Sequence, residues 1–117
     1  SIMSDIQQYQ IIYTESAIGD IEEKADYITF QLQEPSLAER WYFWLRDEIC
    51  NNLTEFPYKF PVYDKEPWNK KGVRFFTARN DVILYSVDTD SRTVYVWAVC
   101  TKGRDLDAHL RTSNLDK

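Results

Sequence analysis

What this sequence has little of narrows it at once. It holds only 3 glycines and 4 prolines, so few positions interrupt regular structure and most of the length should be helix or strand. No apolar stretch approaches the roughly 20 residues that cross a bilayer, and the start lacks the basic-then-apolar layout of a secretory leader. A soluble cytoplasmic chain with no membrane partner is expected. Histidine occurs once, at His109, which excludes a two-histidine metal centre. Cys50 and Cys100 are far apart and lack CxxC spacing. Each lies in an apolar periodic segment and is expected as a small buried hydrophobe. There is no GxxxxGK[ST] or GxGxxG loop to cradle phosphates, and no GxSxG elbow. ATP-driven, dinucleotide and serine-hydrolase chemistry therefore lack their structural device, and no metal or cofactor is expected.

What is present suits one packed core. Hydrophobic residues make up 44% and aromatics 15% of 117 residues, too much for a disordered chain and enough for a single domain over 1–117. The stretches 1–8 and 112–117 are expected as flexible ends. The net charge of −5 hides a split, because residues 1–68 carry 13 acidic and 5 basic side chains while 69–111 carry 8 basic and 5 acidic. That asymmetry fits a C-terminal part that meets something anionic, and equally fits ordinary scatter.

Tyr9 to Tyr13 is a β-branched and aromatic run of strand length. Thr14 or Ser16 then offers an N-cap hydroxyl, and Ile18, Ile21, Ala25, Ile28 and Leu32 recur at helical spacing as a buried stripe. Pro35 ends this helix. Ser36-Leu37-Ala38-Glu39 has the capping-box pattern and opens a second helix with a stripe of Ala38, Trp41, Leu45, Ile49 and Leu53, closed by Phe56-Pro57. A proline-punctuated loop spans 58–71. Strands are expected at 73–78, 82–87 and 93–100; in the last, Val94, Val96 and Ala98 alternate against Tyr95, Trp97 and Val99, so both faces are apolar and the strand is central. A short helix is expected within 102–110. The order β-α-α-β-β-β gives an α+β domain with two N-terminal helices packed on an antiparallel sheet.

The residues left for chemistry are basic and aromatic: Lys70, Lys71, Arg74, Arg79, Tyr85, Lys102, Arg104 and His109. Arginine and lysine stabilise the charge that develops on an attacked phosphate, and a histidine or tyrosine moves the proton, which is nearly all a metal-free ribonuclease needs. A solvated sheet edge uses the same cations to deter strand-on-strand aggregation. Trp41-Tyr42-Phe43-Trp44 puts four aromatics in succession on one helix. Neighbours point about 100° apart, so one core stripe cannot hide all four. Either the outer rings lie under the 57–67 loop, or Tyr42 and Phe43 belong to a surface for a partner segment or a second copy.

The stretch from Val73 to Asp88 resembles the central hairpin of RelE/ParE-type toxins, with an arginine-bearing strand, a short turn and a hydrophobic strand ending in Tyr85-x-Val87-Asp88. Thr93 to Val99 followed by Lys102-Gly103-Arg104-Asp105 resembles that family's last strand and trailing turn. Ala17-x-x-Asp20-Ile21-x-x-x-Ala25-x-Tyr27-Ile28 and Leu53-Thr-Glu-Phe-Pro57 match its helices. The resemblance spans nearly the whole chain. It implies a bacterial type II toxin–antitoxin toxin, neutralised by a cognate antitoxin, with a homodimer as a further option. In the ParE-like branch the target is DNA gyrase; in the RelE-like branch it is messenger RNA in the ribosome. Carried over by position, Arg74, Arg79, Tyr85, Lys102, Arg104 and Asp105 would bind the target. Arg74, Lys102, Arg104 and His109 would be catalytic only in the RelE-like case. Two departures favour the ParE-like side: Val82 stands where ribonuclease members carry arginine, and the chain is acidic, which weakens long-range attraction to RNA. A non-toxic binding module of the same fold is the remaining reading.

Overall fold

The structure, a computed structural model, describes residues 8–116, so most of the expected flexible N-terminal end, and Lys117, lie outside the described residues. Strand β1 (Gln10–Tyr13) leads into helix α1 (Glu15–Asp26), whose N-cap is Thr14; its hydroxyl accepts the Ala17 N–H at 3.2 Å and donates to the Val96 carbonyl at 2.9 Å. The helix continues into a wider π turn, Tyr27–Gln31, where the Leu32 N–H reaches back five residues to the Tyr27 carbonyl. The buried face is Ala17, Ile21 and Ile28, whereas Ile18 and Leu32, expected in the stripe, are 44% and 48% exposed. Ala17 takes the place against the sheet, which turns Ile18 outward by one helical step, and the π turn carries Leu32 off the face.

Helix α2 (Pro35–Leu53) buries the expected stripe: Ala38, Trp41, Leu45, Ile49 and Leu53. Its expected capping box does not form. Pro35 occupies the first helical position, where its missing N–H costs nothing, and this moves the start ahead of Ser36; Glu34 becomes the N-cap without a side-chain bond. Cys50, one step off the stripe, is exposed rather than buried, while Cys100 is buried as expected.

Strands β2 (Arg74–Ala78), β3 (Asp81–Asp88) and β4 (Thr93–Thr101) form an antiparallel meander. β1 adds to β4 in parallel, with Tyr13 opposite Val96, so the sheet is mixed and ordered β1-β4-β3-β2. Parallel neighbours need a long crossover, and the helical pair and the hairpins supply it here. Tyr85 pairs with Val96 and Leu84 with Ala98, leaving Trp97 as an extra residue in β4. Such a bulge shifts the two-residue alternation by one. Val99 accordingly joins Val94 and Val96 under the helices, and Ala98 and Cys100 face the other side. The second face is closed by Trp68, from the 58–71 loop, and Leu110, from helix α3 (Leu106–Arg111), both fully buried. The segment expected as a flexible C-terminal end is tied back to α1. The Asn114 side-chain oxygen accepts the Ser16 N–H at 2.8 Å and hydroxyl at 2.7 Å.

Candidate functional site

β1 covers β4 only as far as Val96, so the upper edge of β4 is open. The Val99 N–H on that edge donates to Asp20 Oδ2 at 2.9 Å. Asp20 projects from α1 one step from the buried Ala17–Ile21 stripe, which sets it at the rim of the sheet. The same carboxylate meets His109 Nε2 of α3 at 2.9 and 2.8 Å. Two helices on opposite faces are thus joined around a strand edge. The Asp20 carboxylate first, and the Cys100 thiol second, raise the His109 pKa from 6.5 to about 10, against the opposing effect of burial. His109 is therefore a cation at neutral pH. Asp20, Cys100 and His109 line a cleft of about 420 Å³ with Tyr27, Asn80 and Arg104 at its rim.

Beside the cleft, Lys24 forms an ion pair with Asp81, whose other oxygen accepts the Trp41 indole N–H at 2.9 Å. On the far face the Trp68 indole N–H donates to Asp107 at 2.7 Å and holds that carboxyl below its ordinary range, fixing α3 to the loop.

The expected site residues fall into groups. Lys102 and Arg104 are exposed in the turn after β4; the Lys102 N–H donates to the Asn80 carbonyl at 2.8 Å, which ties this turn to the β2–β3 turn, and Arg104 lines the cleft with Asn80 and His109. Asp105 accepts the Ala108 N–H at 3.1 Å and caps α3. Arg79 belongs to the β2–β3 turn, but its guanidinium lies 4.3 Å over the Trp44 ring. Arg74 lies four residues from Ala78, roughly 13 Å along the strand. Its guanidinium donates to the Phe60 carbonyl at 2.6 Å and the Tyr58 carbonyl at 3.2 Å. Tyr85 is fully buried; its hydroxyl donates to the Pro57 carbonyl at 2.6 Å, and burial raises its pKa. The structure therefore brings Arg104 and His109 together at the cleft, with Lys102 in the adjoining turn, and brings neither Arg74 nor Tyr85 to them. Tyr42 is half-buried and accepts a bond from Arg46 at 2.7 Å, while Phe43 is 58% exposed.

Asp20, Lys24 and Asp81 were not legible as site residues. The one signal was spacing: Asp20 and Lys24 are four apart and flank the Ala17–Ile21 stripe, as a polar pair does when it borders a buried face.

Among the described residues no helix is long and apolar enough to cross a membrane. The architecture is that of an α+β domain with a helical pair on one face of a small mixed sheet. A chain of the crystal structure of the toxin–antitoxin complex RelBE2 from Mycobacterium tuberculosis shares it, with a TM-score of 0.56 at 16% identity over 81% of this chain and 99% of that chain. The family model for the ParE toxin of type II toxin–antitoxin systems matches residues 11–106, most of the length. The chain belongs to this ParE toxin family. A search of curated proteins finds no sequence match.

Proposed function

We propose that the chain is a protein-directed toxin of the ParE-like kind, a growth inhibitor that acts on DNA gyrase and is silenced by a cognate antitoxin. The observation that carries this reading is the state of the proton-moving groups. His109 is held to Asp20 and keeps its proton to about pH 10, so it cannot take one from a ribose hydroxyl at neutral pH. Tyr85 is sealed in the core. Arg74 is spent on loop carbonyls. A fold neighbour is a chain of the toxin–antitoxin complex RelBE2, and exposed Phe43 offers an apolar contact for an antitoxin, or for a second copy.

The RelE-like reading is kept for one reason: Arg104 and His109 line one cleft. Two assays on the purified protein separate the readings. Inhibition of gyrase supercoiling with intact mRNA on ribosomes is the expected result. Ribosome-dependent cuts that vanish in Arg104→Ala and His109→Ala proteins, with supercoiling untouched, would overturn it.

A further inference from the structure

β4 runs on to Thr101 after β1 leaves it at Val96, and the cleft lies along that uncovered edge. The bulge at Trp97 sets which backbone groups face outward there. The Val99 N–H points away from β3, to Asp20 Oδ2 at 2.9 Å. A strand repeats every two residues, so the Val99 carbonyl and both backbone groups of Thr101 point the same way. The Thr101 carbonyl accepts the Arg104 N–H at 3.2 Å. The Val99 carbonyl and the Thr101 N–H have no hydrogen-bond partner among the described residues, and both residues line the cleft. An acceptor and a donor two residues apart on a strand edge match the main chain of one further strand.

We propose that the cleft is a docking site for an extended acidic peptide segment, which adds to β4 as a parallel strand in line with β1. In that orientation one peptide residue, opposite Cys100, donates its N–H to the Val99 carbonyl and accepts the Thr101 N–H on its own carbonyl. An antiparallel strand would engage Val99 through its N–H as well, and Asp20 already holds that group. His109 anchors the Asp20 carboxylate at 2.8 Å, so the pair closes the lower end of the site. It also joins α1 to α3 across the edge, which leaves room for a strand about 4.8 Å from β4 and none for a helix about 10 Å wide. The charge of the segment follows from the mouth. Lys24 and His109 are each paired with a carboxylate, whereas Arg104 and neighbouring Lys102 are in no ion pair among the described residues. Against these two cations stands one lining carboxylate without a cation partner, Glu23. The exposed Tyr27 ring supplies an apolar wall for an alternate side chain. The gyrase reading makes no use of this edge, and the site stands whichever target the toxin has.

The test titrates the full-length protein with end-blocked synthetic peptides about eight residues long. One alternates valine and glutamate, one alternates valine and lysine, and one is the glutamate form with N-methylated backbone amides. Calorimetry reads affinity, and amide hydrogen exchange followed by NMR reads the contact. The glutamate peptide is expected to bind and to slow exchange at the Thr101 amide about tenfold. The Val99 amide, already bonded to Asp20, should exchange as before, and the N-methylated form should not bind. Arg104→Glu, in an exposed turn, should weaken the glutamate peptide roughly fivefold. Unchanged exchange at Leu84, in the middle of the sheet, shows that this variant keeps its fold. No binding of the glutamate peptide at millimolar concentration would overturn the proposal, as would equal or tighter binding of the lysine peptide. Binding that leaves Thr101 exchange unaltered, frees the Val99 amide, or is unaffected by Arg104→Glu would overturn it too.

Discussion

Trp41 of α2 donates its indole N–H to Asp81 at 2.9 Å, and Asp81 opens β3 at 1% exposure. A carboxylate this deep is tolerated because its other oxygen pairs with Lys24 of α1. Three elements meet at this point: both helices and the hairpin. Removing the cation leaves a buried charge with the indole alone, so Lys24→Met should destabilise by about 3 kcal/mol. Asp81→Asn keeps the shape and one acceptor and should cost less, about 1–2 kcal/mol. Urea unfolding checks both, and equal losses in the two variants would contradict the argument.

The Asp20–His109 bond makes stability depend on pH. The folded pKa of His109, raised to about 10, lies above the unfolded 6.5, so the folded chain binds the extra proton between these values. Its contribution is complete below pH 6.5, declines as pH rises, and is gone above pH 10. The melting temperature of wild type should therefore fall across this window more steeply than that of His109→Gln. Parallel pH profiles would remove His109 as the source.

Tyr85→Phe takes away the donor to the Pro57 carbonyl in a buried setting. A loss of about 1–2 kcal/mol is expected from leaving that acceptor unpaired. Growth arrest, normalised to the amount of folded protein, should not change, because the ring has no exposed surface. Arrest lost in a fully folded Tyr85→Phe protein would assign the hydroxyl a role in target contact.

Leu45 is fully buried between α2 and the sheet. Leu45→Ala should cost about 2–5 kcal/mol through lost burial and the cavity left behind.

Phe43 gives the opposite case. Its ring is 58% exposed, so Phe43→Ser should leave stability within about 0.5 kcal/mol of wild type. If the ring contacts the antitoxin, the same change should weaken antitoxin binding in titration calorimetry. Unchanged affinity, with unchanged oligomeric state, would take Phe43 out of any interface.

The α2 stripe shows how far patterning reaches. Five residues at spacings of three and four have only one way to bury together, so Ala38, Trp41, Leu45, Ile49 and Leu53 could be read directly. Hairpin strands with turn residues between them were legible for the same reason. The register of α1 was not, because alanine at Ala17 competes with isoleucine at Ile18 for the sheet, and only the depth of the groove chooses between them. Faces of β4 beyond Trp97 were equally out of reach: a bulge arises from pairing with β3, and one extra residue exchanges Ala98 and Val99.

Local periodicity and cap chemistry act over a few residues, and they were enough for the element order, the α2 core and the family pattern. Contacts between residues far apart in the chain have no local signal. That Asp20 and His109, 89 positions apart, would close around the free edge of β4, and that Arg74 would turn to loop carbonyls, followed from how the sheet and helices stack. Side chains of the same charge look alike in a sequence; burial and the nearest partner give each a different role.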